Sequence, residues 1–373
     1  MRFVVSSNAL LKHLQQINGV ISANTVLPIL EDFLFNIDKG KLDIFATDLE
    51  TSMSTSMEVE SNDKHIVAIP ARIITDILKS LPEQPIAISI DEVSNAVELT
   101  TDNGKYRLAG ENGADFPKMP TVEGDSTIEI PADVLYDAIN KTLFAVSADD
   151  LRPAMGGVYF LLNSNGITFV STDAHKLVKL VRTDTSGFET ETSFIVPKKA
   201  LGLLKASLPQ TNTSVKISFN KTNAFFSFDE TNLICRLIDA RYPDYNAVIP
   251  TQNPNLLTIN RQELLGALKR ISIFSNKSTH LIAIKIAGSE LTVSAQDLDF
   301  SNEAAEKLSC EYVGEDMEIG FNAKFLIEML NTINSDEVRF ELESSTRAGI
   351  LRPADKDEHV DLIMLVMPVM INR

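Results

Sequence analysis

Cysteine is scarce in this chain, and its two copies are poorly placed for chemistry. Cys235 and Cys310 lie far apart, with no CxxC pair and no neighbouring histidine pair. That spacing excludes a disulfide framework and a zinc site, so both read as buried or incidental thiols and no metal is expected. Long apolar runs are missing too. No segment stays apolar for the roughly 18 residues of a membrane span, and Met1-Arg2-Phe3-Val4-Val5-Ser6 lacks the apolar stretch of a secretory signal. A cytoplasmic protein is expected. Catalytic signatures are equally absent: there is no HExxH, no P-loop, no glycine-rich dinucleotide turn and no GxSxG. No cofactor is expected. Cations are in deficit, with 34 Lys and Arg against 51 Asp and Glu, a net charge of -17. A polyanionic partner is then excluded unless the cations gather in one place.

What the chain does have is repetition. At 373 residues it is too long for one comfortable core, and 44% hydrophobic with 23% charged residues suits buried cores rather than disorder. Ala46-Thr47-Asp48-Leu49 is echoed by Ser171-Thr172-Asp173-Ala174 and by Ala295-Gln296-Asp297-Leu298, the aspartates being 125 and 124 residues apart. Ile69-Pro70, Val196-Pro197 and Phe321-Asn322, each ahead of a helical pattern, recur at 127 and 125. Two independent markers at nearly one period indicate three copies of a module.

Each copy runs strand, helix, strands, and then the same again. The first helices are expected over Asn8 to Asn18, Ala132 to Leu143 and Arg261 to Ile271, and the second over Ala71 to Leu81, Lys198 to Leu208 and Ala323 to Ile333. Leu10, Leu11, Leu14 and Ile17 form one apolar face at helical spacing. Alternating strands such as Leu42 to Ala46, Ile167 to Val170 and Leu291 to Ser294 sit near hairpin signals at Asp38-Lys39-Gly40 and Asn163-Ser164-Asn165-Gly166. The expected class is α+β: three modules, each with two helices packed on antiparallel sheets. Turn-rich stretches at Glu123-Gly124-Asp125 and Gln252-Asn253-Pro254-Asn255 place the modules at 1–124, 125–253 and 254–373.

The six helix segments with their flanking residues carry a net +6, which leaves -23 for the rest of the chain. The main contributors are Lys12, Arg72, Lys79, Lys141, Lys198, Lys199, Lys205, Lys269 and Arg270. Any one lysine on a helix is ordinarily a solvated surface residue. Collectively they suit a polyanion held on one face and repelled elsewhere. No aromatic platform and no Arg/Asn/Gln cluster accompanies them, so nucleic acid would be held through phosphates without sequence choice.

Several motifs, in order from end to end, resemble the bacterial sliding clamps, the beta subunits of DNA polymerase III: Leu27-Pro28-Ile29-Leu30, Ala46-Thr47-Asp48-Leu49-Glu50, Ala114-Asp115-Phe116-Pro117, Arg152-Pro153-Ala154-Met155, Thr172-Asp173-Ala174-His175-Lys176-Leu177, Arg241-Tyr242-Pro243-Asp244-Tyr245 and Val366-Met367-Pro368. The resemblance implies a non-catalytic processivity factor. It implies a chain forming half of a closed ring, a head-to-tail homodimer around duplex DNA with the cationic helices lining the hole. A clamp loader, the replicative polymerase and other proteins carrying short clamp-binding peptides are the implied partners.

Carried over residue by residue, the peptide pocket comprises Met155, Thr172, Ala174, His175, Lys176, Leu177, Pro243, Val248, Val366, Met367, Pro368 and Met370. Such a set makes an adaptable apolar groove, although Met155, Leu177, Val248 and Val366 read without the family as plain core. Tyr106 and Leu108 against Ile273 and Phe274 are the implied dimer contact. Three places depart from the pattern. Asn24 stands where some relatives have arginine, Asp149 and Asp150 make their loop acidic, and the C-terminus is longer than usual. Two other readings stand beside the clamp: a hydrolase using Asp173 and His175 or a metal enzyme using the many acids, and a repeat scaffold that binds no DNA.

Overall fold

In the computed structural model the repeated aspartate closes the same turn in the first two copies. Asp48 Oδ1 accepts the backbone N–H groups of Glu50 (3.0 Å) and Thr51 (2.6 Å), and Asp173 Oδ1 accepts those of His175 and Lys176, both at 2.9 Å. The preceding threonine hydroxyls, of Thr47 and Thr172, accept from Leu49 and Ala174, which lie at φ 78° and 75°. The side-chain bonds hold a non-glycine residue in the left-handed region, where it is otherwise disfavoured. In the third copy Gln296 replaces the threonine, and Asp297 Oδ1 accepts from the Asp299 N–H at 3.1 Å. The marker recurs because a tight turn between two strands requires it.

The structure describes residues 1–22, 27–61, 63–120, 126–185, 188, 190–209, 211 and 213–371. Asn24, the boundary at Glu123-Gly124-Asp125, and the last two residues, Asn372 and Arg373, lie outside the described residues.

The described residues hold six α-helices: α1 (Ser7–Ile17), α2 (Ala71–Ser80), α3 (Ala132–Thr142), α4 (Lys198–Ser207), α5 (Arg261–Ile271) and α6 (Ala323–Thr332). Each agrees with its expected span to within about one residue, because helix ends are written in local chemistry. Asn260 and Asn322 cap α5 and α6 by accepting from Glu263 and Lys324, and Pro70 stands at the start of α2. On α1, Leu10, Leu14 and Ile17 are fully buried, each adding roughly 1.5–3 kcal/mol of burial. Leu11, expected on the same face, is only half-buried.

Among the described residues all strand pairs are antiparallel. The chain packs as two compact units, Met1–Tyr136 with Lys199–Leu237, and Asp137–Lys198 with Ile238–Arg373. Packing thus divides the sequence 125–253 between the two. Among the described residues each unit has one nine-stranded and one four-stranded sheet. In the first unit, strand Thr231–Arg236 joins strand Thr51–Glu58 in the register Thr231↔Thr55, extending one copy's sheet with strands of the next. In the second, strand Lys176–Arg182 joins strand Val360–Val366, with Lys176↔Val366 and Leu177↔Leu365. The small sheets run from Arg2–Ser6 through Pro85–Ile90 and Ala96–Thr100 to Lys105–Ala109, and from Asn302–Ser309 through Glu290–Asp297 and Leu281–Ala287 to Met317–Asn322.

Candidate functional site

The Lys176–Val366 seam creates an apolar surface inside the second unit. Two alternate rungs of the large sheet, on one face, form its floor: Tyr159↔Val170↔Lys179↔Ile363 and, two residues on, Thr172↔Leu177↔Leu365↔Ile350. Val170, Leu177, Ile195, Tyr242, Ala348 and Leu365 form one buried cluster, flanked by half-buried Ala154, Tyr159, Ile238, Tyr245 and Ile249. Tyr242 stacks on Tyr159 at 4.7 Å, and its hydroxyl donates to the Val170 carbonyl (3.3 Å). Burial raises the Tyr242 hydroxyl well above its ordinary pKa, so it stays a donor.

Around this floor stand apolar groups that water still reaches. Val248, on the short turn Asn246–Val248, is 56% exposed, Met367 42% and Met370 76%. Pro243, Pro368 and Met155 are half-buried, and Ala174 and His175 are exposed on the Asp173 turn. The Met367 N–H donates to the His175 carbonyl (2.8 Å), which sets the C-terminal segment beside that turn.

Three residues expected in the pocket play other parts. Val366 is wholly buried within the sheet, so it supports the surface without lining it. Thr172 is buried, and its hydroxyl donates to the Lys176 carbonyl at 2.8 Å. Lys176 is buried under the turn, 3.2 Å from Asp173 and 3.0 Å from Glu328, with the Phe325 ring 4.3 Å from its ammonium. Sequence reasoning missed Tyr159, Ile238, Tyr242, Tyr245 and Phe325. The Arg241 to Tyr245 motif carried two of them, but nothing local signals that Tyr159 stacks on Tyr242.

Asp173 and His175 do not form a catalytic pair. The Asp173 carboxylate is committed to two backbone N–H groups and to Lys176, and the imidazole faces the Phe325 ring at 6.3 Å. Among the described residues no group of three His, Cys, Asp or Glu could hold a metal ion. Cys235 is buried, which pushes its thiol up to about 12, and Cys310 is half-buried.

The helix cations divide by their surroundings. Lys12, Arg72, Lys79, Lys198 and Lys269 are exposed, Arg72 having only a long 3.9 Å contact to Asp76. Lys141 does not meet its expectation, because its side chain is 11% exposed and bound to Asp137 at 2.7 Å. Lys199 is paired with Asp48 and donates to the Val20 carbonyl, while Arg270 holds Glu306 through two bonds of 2.9 and 2.7 Å. Lys205 lies over the Tyr136 ring.

The four-stranded sheets each have one capped and one open edge. Strand Arg2–Ser6 is bridged through Val4↔Glu60, and strand Met317–Asn322 receives the Val369 N–H on the Gly320 carbonyl. Among the described residues no further strand pairs with Lys105–Ala109 or Asn302–Ser309. Tyr106 is partly exposed on the first of these, beside a cleft of about 420 Å³ lined by Ile73, Ile77 and Leu81 of the α2 region. Leu108 departs from expectation: at 6% exposure it faces its own core. Ile273 and Phe274 are exposed on the turn Ser272–Phe274, which packs against Asn302–Ser309.

Repeated two-helix modules, an exposed apolar surface and a fully committed Asp173 carboxylate fit a repeat-built accessory protein of the clamp type. Models of the DNA polymerase III beta subunit match over residues 1–120 (N-terminal domain), 129–244 (central domain) and 246–368 (C-terminal domain). The chain is 29% identical to the beta sliding clamp of Pseudomonas putida, over 98% of this chain and 99% of that one. It is 26% identical to that of Synechococcus elongatus, with both chains fully covered. Among solved structures, the DnaN sliding clamp of Pseudomonas aeruginosa bound to griselimycin aligns over the whole of both chains with a TM-score of 0.94 and 28% identity. That of Bartonella birtlesii, also bound to griselimycin, gives 0.94 and 27%. The chain belongs to the DNA polymerase III beta subunit family, the non-catalytic sliding clamps of bacterial replication.

Proposed function

We propose that two copies of this chain close head to tail into a cytoplasmic ring that encircles duplex DNA and carries replication proteins on its apolar groove. The open edge strands carry this reading. Lys105–Ala109 bears Arg107 and Asn302–Ser309 bears Glu303, while Lys105, Glu306 and Lys307 are paired within the chain, so the edges complement each other in free backbone groups and through Arg107 and Glu303. With Tyr106 and the Ile73 cleft beside one edge, and Ile273 and Phe274 beside the other, a partner copy would cover apolar surface that water now meets.

Within this reading the chain comprises modules 1–124, 125–253 and 254–373. The exposed cations Lys12, Arg72, Lys79, Lys198 and Lys269 meet phosphates, and Lys141 leaves that set. The groove takes short peptides of the replicative polymerase and of the clamp loader that opens the ring. Griselimycin, bound by the Pseudomonas aeruginosa relative, would on this reading occupy the groove of this chain. Retention on DNA tests the ring. Loaded on a nicked circular duplex, the protein should survive modest salt and be lost when the circle is cut; equal loss from circle and linear DNA would refute encirclement.

A further inference from the structure

We propose that Gly320 is a positioning residue for the docking groove: its missing side chain makes the slot in which the C-terminal tail is clasped. The inference rests on the groove reading above and adds what holds one rim of that groove in place.

The tail is anchored twice. The Met367 N–H donates to the His175 carbonyl at 2.8 Å, and two residues on the Val369 N–H donates to the Gly320 carbonyl, also at 2.8 Å. Pro368, between them, has no N–H to give and a restricted φ, so this short span has little freedom once both ends are tied. The first anchor belongs to the Asp173 turn and the second to strand Met317–Asn322 of the small sheet. Together they carry the chain from one sheet to the other, with Met367 at the groove.

The second anchor exists because position 320 has no Cβ. A Cβ there would fall against the Val369 carbonyl oxygen, inside the 3.0 Å that real Cβ atoms keep, and 2.9 Å from Ile371 Cγ1. Leu281 Cδ1, at 3.0 Å, could rotate away, but the Val369 oxygen is backbone and can move only if the tail moves. The glycine is needed for this close approach, since its φ lies outside the left-handed region where glycine is otherwise required. Any side chain at 320 therefore lifts the tail, breaks the Val369 bond and frees Met367 from the groove.

Griselimycin affinity, measured by titration calorimetry on the whole protein, tests this. Gly320→Ala and Val369→Pro, the second removing the N–H without touching the small sheet, should each weaken binding about tenfold, the scale set by overpacking a close contact. In a chain ending at Met367, Gly320→Ala should weaken binding no further, because the tail it acts on is gone. Unchanged affinity in both full-length variants would overturn the clasp, as would an equal further loss in the shortened chain. Should Gly320→Ala fail to fold, Val369→Pro decides alone. No binding by the unsubstituted protein would sink the groove reading, and the clasp's role with it, whereas normal binding with insensitive variants would sink the clasp only.

Discussion

The Lys176 ammonium lies 4.3 Å from the centre of the Phe325 ring. Lys176 begins the strand that forms the seam, and Phe325 stands on α6 with Glu328, whose carboxylate is 3.0 Å from the same ammonium. A buried cation thus fastens strand to helix beneath the groove. Lys176→Ala removes the cation from Phe325 and leaves Asp173 without its ion pair, at a cost of roughly 2–3 kcal/mol. Glu328→Gln should cost less, about 1 kcal/mol, because the amide keeps an oxygen beside the ammonium and Asp173 still pairs with it. Urea denaturation would compare them, and equal losses would show that the ring contact contributes nothing.

Asp32 makes stability depend on pH. Burial, then the Glu111 and Glu31 carboxylates, push it up to about 7 from 3.8, and its Oδ2 is buried with no hydrogen-bond partner among the described residues. A carboxyl raised in the folded state binds its proton more tightly there than in the unfolded chain. Its penalty is therefore absent below about pH 4, grows as pH rises to about 7, and is complete above that. Asp32→Asn should stabilise the protein by about 2–4 kcal/mol at pH 8 and by little at pH 4. Thermal melts at the two pH values would show a gain confined to the higher one; a pH-independent gain would locate the cause elsewhere.

Charge reversal tests the edge pairing. Arg107→Glu should weaken the dimer, Glu303→Arg should do likewise, and the double reversal should restore it in part, because opposite charges again face across the edge. Ile273→Asp with Phe274→Asp should give monomers outright, since burying unpaired charge costs several kcal/mol, about 3–5. Sedimentation would read both, and an unaltered dimer in the second case would remove these residues from the interface.

The cation assignment predicts a salt effect. Each of Lys12, Arg72, Lys79, Lys198 and Lys269, changed to Ala, should lower the slope of log affinity against log salt by about one if its phosphate contact is made. Lys141→Ala should leave the slope alone, because its ammonium is already held by Asp137 at 2.7 Å. A slope that responds to Lys141 as strongly as to Lys79 would reverse the sorting made from side-chain exposure.

The helices and the repeat were legible in the sequence because their causes are local. A 3.6-residue period buries Leu10, Leu14 and Ile17 together, Asn260 caps the turn that follows it, and Asp48 and Asp173 close turns with N–H groups two and three residues ahead. Such interactions stay within one helical turn or one hairpin, so residue types at short spacing suffice to announce them. The family motifs were legible for the same reason, being short and ordered.

The groove had no such local cause. It depends on Leu177 meeting Leu365 and on Tyr159 meeting Tyr242, partners brought together by sheet register and ring stacking across long stretches of chain. Lys141 and Lys79 look alike as helical lysines, yet only the packed structure puts Asp137 and little water around the first. Gly320 reads in sequence as an ordinary strand glycine; the tail's carbonyl pressed against it is what leaves no room for a side chain. Turns and helix ends follow from neighbours along the chain, while exposure, register and close approach follow from neighbours in space, and these only the tertiary structure decided.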